Sequence, residues 1–113
     1  MGSLIEEVQV QMLPKGLTTT FTIKFSDEEI QLTHAEAIFV TFENTKTGIK
    51  IQKTGSDLEV SYNTIRTTLS QRETLRLGVG KLEIMVNWVL DGVRDASNIM
   101  TYELTKNLIE KEI

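Results

Sequence analysis

Few side chains in this chain are placed to do chemistry, and each of them has a purely structural reading beside it. Asp27, Glu28 and Glu29 set three carboxylates in a row, enough charge to attract a hard cation. No loop of alternating oxygen ligands follows, so they read as a solvated turn whose charge deters strand pairing. His34 is the sole histidine and there is no cysteine, which leaves no ligand set for zinc. Ser70 and Glu73 could pass for a nucleophile and a base, but no histidine or lysine adjoins them in the sequence to orient them. Their spacing is that of a capping box, in which each side chain satisfies the other residue's backbone N–H at the start of a helix. Gly78-Val79-Gly80-Lys81 resembles a phosphate loop in composition only. The GxxxxGK[ST] spacing is missing, and Leu82 stands where a magnesium-ligating hydroxyl belongs. No catalytic, cofactor or metal residue is assigned, and the chain reads as a non-enzyme.

Two sets of residues could instead bind. Trp88 with Asn87 and Asp91 combines a ring that could stack on a sugar with side chains that could bond its hydroxyls. Tyr62 and Tyr102 are the other aromatic candidates, although all three rings fall in phase with core positions. Met85 and Val89 are apolar residues on the more polar face of their strand, and Ile109 and Ile113 are apolar residues near the end of the chain. These four are the candidates for a protein–protein interface.

The element that carries most of these residues is residues 81–90. Leu82, Ile84, Val86, Trp88 and Leu90 share one parity, and Lys81, Glu83 and Asn87 share the other. Side chains alternate faces along a strand, so this is a strand with one apolar face. Residues 8–12 and 18–25 show the same period, the second with Phe21, Ile23 and Phe25 in phase. Residues 37–43 are apolar on both parities, with Ile38, Val40 and Phe42 the better core set. They are expected to pair with residues 49–53 across the turn 44–48. Short strands follow at 58–62 and 64–69. Then comes a helix of one or two turns over 71–77, opened by the Ser70/Glu73 box and stopped at Gly78.

Asp91-Gly92 is a hairpin signal. A three-residue loop, Leu90-Asp91-Gly92, would pair Val89 with Val93, face Trp88 toward Arg94, and put Ala96, Asn98, Met100, Tyr102 and Leu104 on the core side. Asn98 would then need hydrogen-bond partners. Residues 105–113 read as a short helix or an extended tail.

The whole is an all-β expectation: an immunoglobulin-like antiparallel β-sandwich of seven to nine strands, with one capped helical turn. At 113 residues it forms a single domain, 1–113, with residues 1–15 as an N-terminal extension. A net charge of −4 argues against nucleic acid or anionic lipid as a partner. No apolar run reaches the roughly 20 residues that span a bilayer. The N-terminus lacks the basic-then-apolar pattern of a signal peptide, so synthesis in the cytoplasm is expected.

Several segments resemble a group of small proteins from phages and prophages of low-GC Gram-positive bacteria. The matching stretches are residues 21–25, 40–42, 69–75 (LSQRETL), 80–88 (GKLEIMVNW), 96–99 (ASNI) and 108–113. The pattern is also similar to the N-terminal β-sandwich domain of phage baseplate upper proteins. The group is mostly uncharacterised, and the resemblance implies a virion structural protein of the tail or baseplate, assembling with itself as a homo-oligomer or with other phage structural proteins. Such a protein would be made in the bacterial cytoplasm and end in the virion. The resemblance carries no ligand residue. The alternative is a small carbohydrate-binding module of a host-recognition device, using Trp88, Asn87 and Asp91.

Overall fold

The computed structural model describes residues 5–12, 18–26, 32–61 and 63–104. The expected turn at 27–29, Tyr62, and Ile109 and Ile113 with the rest of the C-terminal segment lie outside the described residues. Nine strands and one α-helix are present among those described: β1 (Ile5–Met12), β2 (Thr18–Phe25), β3 (Ala37–Asn44), β4 (Ile49–Thr54), β5 (Glu59–Val60), β6 (Thr64–Ser70), α1 (Gln71–Leu77), β7 (Gly80–Leu90), β8 (Val93–Ala96) and β9 (Met100–Leu104).

The strands form two antiparallel sheets. One has the order β1-β2-β6-β5. The other has the order β4-β3-β7-β8, with β9 also pairing with β7. This is the strand order of an immunoglobulin-like sandwich, with α1 set into the connection from β6 to β7.

The alternation read from the sequence decides which face goes inside. Phe21, Ile23 and Phe25 of β2, with Ile65 and Leu69 of β6, meet Ile38, Val40 and Phe42 of β3 and Leu82, Ile84, Val86 and Trp88 of β7. The rings lock across the interior: Phe21 and Phe42 centroids lie 4.9 Å apart, and Phe25 meets Trp88 edge-on at 5.6 Å. Such pairs add to the burial of the rings themselves.

The helix follows its sequence signals. Ser70 Oγ accepts from the Glu73 N–H at 3.2 Å, the Glu73 carboxylate accepts from the Ser70 N–H at 2.9 Å, and Gly78 ends the helix with φ 83°.

The β7–β8 hairpin differs from expectation. Its loop is two residues, Asp91 and Gly92, with φ 53° and 77°, the left-handed pair of a tight hairpin turn. Leu90 therefore pairs with Val93, Val89 with Arg94 and Asn87 with Ala96, and Trp88 lies opposite Asp95, not Arg94. The parity in β8 is the reverse of the one expected, and Ala96 is exposed.

Residues 97–99 then leave the ladder, and β9 resumes with Ile84 opposite Met100 and Leu82 opposite Tyr102. The irregular step restores the core parity, as an inserted residue in a strand does. Ser97 holds it in place. Its N–H donates to the Val86 carbonyl at 2.8 Å, and its Oγ accepts from the Val86 N–H at 3.0 Å. Asn98 finds its partner across the sandwich, accepting from the Ile5 N–H at 2.7 Å.

Two smaller differences lie at strand ends. β1 begins at Ile5, earlier than residue 8, and the strand expected over 58–62 is reduced to Glu59–Val60.

Candidate functional site

The inner faces are consumed by the core, which leaves the outer faces as the strand surfaces open to a ligand. On the sheet containing β7, strand register builds the outer face in rows. One row runs Thr54, Phe39, Asn87, Ala96 across β4, β3, β7 and β8. On one side of it lie Gln52, Thr41 and Met85; on the other lie Ala37, Val89 and Arg94.

Phe39 is the aromatic member of this face and is half-buried. It lines a cavity of about 230 Å³ together with Gln52, Asn87, Trp88, Val89, Arg94 and Asp95. The Gln52 amide is steadied by donating to Thr41 Oγ1 at 3.3 Å. Asp95 borders the cavity too, but it pairs with Trp88 and so lies on the other parity, its Oδ1 accepting from the Ala96 N–H at 2.8 Å. Among the described residues the Asn87 amide and the Arg94 guanidinium make no side-chain hydrogen bond or ion pair, so their capacity is unspent. The result is an aromatic and aliphatic floor ringed by two amides and one cation, a composition common in small-ligand sites.

The residues singled out in the sequence divide. Asn87 and Val89 line this cavity. Trp88 also borders it but is only 4% exposed, with its ring against Phe25, so it serves the core and offers no stacking face. Asp91 is exposed at the tip of the hairpin turn, away from the cavity lining. Met85 is half-buried one row away, opposite Thr41. Phe39, Arg94 and Asp95 were not among the sequence candidates. The available signal for Phe39 was the double-sided apolar pattern of residues 37–43, whose second parity had no core to enter. Arg94 was hidden by the hairpin register.

The opposite outer face carries a longer groove of about 610 Å³, lined by Gln9, Thr20, Thr22, Asp57, Glu59, Arg66, Thr67 and Thr68. Its side chains are polar throughout. Among the described residues no group of three or more His, Asp or Glu could hold a metal ion, and no helix is long and apolar enough to cross a membrane. His34 is exposed at a short 3-10 turn, Leu32–His34.

No family model and no curated protein matches the chain. Among solved structures it is similar to the crystal structure of a Br derivative of BhCBM56, a carbohydrate-binding module. The TM-score is 0.52 over 92% of this chain and 100% of that one, at 13% sequence identity. At that identity the likeness shows the β-sandwich fold alone.

Proposed function

We propose that the chain is a non-catalytic carbohydrate-binding module whose ligand lies against Phe39. The observation that carries this reading is the grouping of that half-buried ring with the side chains of Gln52, Asn87 and Arg94 on one outer face. An aromatic face receives the C–H side of a sugar ring, and planar amide and guanidinium groups bond adjacent hydroxyls with defined geometry. The fold shared with a carbohydrate-binding module supports the reading. The test is retardation of the protein in native gels containing polysaccharide. Phe39→Ala and Asn87→Ala should each weaken binding at this cavity about tenfold or more while the thermal midpoint stays near that of the parent. Unchanged binding in both variants would remove the cavity from the function.

A second reading rests on the sequence resemblance to phage proteins and on two residues of the same face. Met85 and Val89 are only half-buried there beside Phe39, an apolar group that a protein partner could cover. In this reading the domain is a tail or baseplate component that self-associates and is carried into the virion. Light scattering of the protein over a range of concentrations decides it. A discrete oligomer that Met85→Asp dissociates without unfolding supports assembly through this face; a monomer at high concentration excludes self-assembly.

A further inference from the structure

We infer that the groove on the β1-β2-β6-β5 sheet is a second carbohydrate site, built for a neutral, hydroxyl-rich chain lying across the strands. The inference takes its ligand class from the carbohydrate reading but rests on different residues, on the opposite face of the sandwich.

Register lays these residues out in rows. Gln9 of β1, Thr22 of β2, Arg66 of β6 and Glu59 of β5 are successive partners across four strands. Three strand spacings make this row about 14 Å long. Thr20 and Thr68 oppose each other in the next outward-facing row, about 7 Å away along the strands. Between and around these rows lies the 610 Å³ groove, within the range of about 300–1,000 Å³ common to small-ligand sites.

Three features point to the ligand. First, the hydroxyls of Thr20, Thr22 and Thr68 make no hydrogen bond among the described residues, so each offers a donor and an acceptor. They stand on paired strands, where the backbone fixes their spacing.

Second, the wall of the groove is held before any ligand arrives. Thr67 points inward and donates from Oγ1 to the Asp57 carbonyl at 2.9 Å, fixing the turn Gly55–Asp57 to β6. Arg66 is paired with Glu59 at 3.1 Å, an exposed pair that adds little to this hold. A wall that does not have to be ordered on binding lowers the entropic cost of association.

Third, the charge is wrong for an anion. Asp57 and Glu59 contribute two carboxylates against the single guanidinium of Arg66, so phosphate, sulfate or uronate groups meet net repulsion. No aromatic ring lines the groove, so recognition there falls to hydrogen bonds, and a chain of hydroxylated rings supplies many of them at once.

The experiment uses the intact protein in native gels containing soluble neutral glucans of α and β linkage, with carboxymethylated glucan as the charged counterpart. Phe39→Ala isolates the groove. This variant should still be retarded by neutral glucan, and less by the carboxymethylated form. Adding Thr22→Val and Thr68→Val removes two hydroxyls while keeping β-branched side chains. It should weaken the remaining binding about tenfold with the thermal midpoint unchanged. If Phe39→Ala alone abolishes retardation, the groove is not a site and the Phe39 cavity stands by itself. If the triple variant is retarded as strongly as Phe39→Ala, the groove proposal is overturned. If the parent protein is not retarded by any glucan, this proposal and the carbohydrate reading fall together.

Discussion

The side-chain amide of Asn44 donates to the carbonyl of Leu77 at 2.8 Å, joining the β3–β4 turn to the end of α1. Asn44 is fully buried, and the same amide nitrogen lies 3.3 Å from the carbonyls of Gly78 and Val79. Its Oδ1 accepts from the N–H groups of Lys46 and Thr47 at 2.9 and 3.4 Å. One side chain thus satisfies both the last carbonyls of a helix and the donors of its own turn. Gly78 and Gly80 beside it are set by backbone conformation and not by space: both have positive φ, whereas a Cβ at Gly80 would sit an ordinary 3.6 Å from Nδ2.

Asn44→Ala should therefore cost more than an ordinary turn substitution. It leaves buried carbonyls and amide donors without partners, at about 1–3 kcal/mol for each group that water cannot reach. The expected loss is about 3 kcal/mol in urea unfolding. Asn44→Asp should be no better, because a carboxylate cannot donate to three carbonyls. A loss below about 1 kcal/mol for Asn44→Ala would mean that the turn and the helix end are not joined through this residue.

Acid should weaken the tie between α1 and β4. Lys53 Nζ contacts both carboxylate oxygens of Glu73, at 2.9 and 2.8 Å. Burial pushes the Glu73 carboxyl upward, but the hydrogen bond from Lys53, the Ser70 N–H, the Lys53 charge and the Ser70 hydroxyl together hold it below its ordinary 4.5. A lowered folded-state value means that the stabilisation is fully present above pH 4.5 and is lost as pH falls through the folded value. Glu73→Gln should cost about 1 kcal/mol at pH 7, a modest figure because the pair is partly solvated. The difference from the parent should shrink progressively as pH falls below 4.5. Thermal melts across that range check this; a difference that does not change with pH would show that the charge is irrelevant.

Trp88 is the sole tryptophan, so its fluorescence reports on the core alone. Its emission should be blue-shifted and poorly quenched by acrylamide, and polysaccharide should leave it almost unchanged. Trp88→Ala should destabilise the fold by about 3–5 kcal/mol. A red-shifted, freely quenched emission would place the ring in solvent and return it to the list of sugar platforms.

The parts of this fold that were readable in the sequence are those where local chemistry and burial agree. β2 and α1 match expectation because an uninterrupted two-residue period and a capping box each decide their own geometry. The β7–β8 hairpin departs from expectation for a physical reason. In the sequence Ala96, Met100 and Tyr102 form one continuous apolar series, whereas residues 97–99 insert an irregular step between two ladders. The step is held by Ser97 hydrogen bonds to Val86, and no periodicity announces it. Asn44 looked like any turn asparagine, since burial of a polar group depends on what the distant α1–β7 connection brings to it. The Phe39 cavity depends likewise on long-range register. Phe39, Asn87 and Ala96 become neighbours only when three strands align, and Arg94 joins them only with the two-residue loop.

The central pair of the second sheet has a kinetic consequence. β3 and β7 are joined along their length, from Ala37 opposite Val89 to Asn44 opposite Leu82. The whole of β4, β5, β6 and α1 lies between them in the chain. Closing that long loop costs entropy before any of the pairing rewards it. The β3–β4 and β7–β8 hairpins have only short turns to close and can form within microseconds, yet the interior can be sealed only after the two hairpins find one another. Folding should accordingly take milliseconds to seconds, the pace of non-local β-sandwiches.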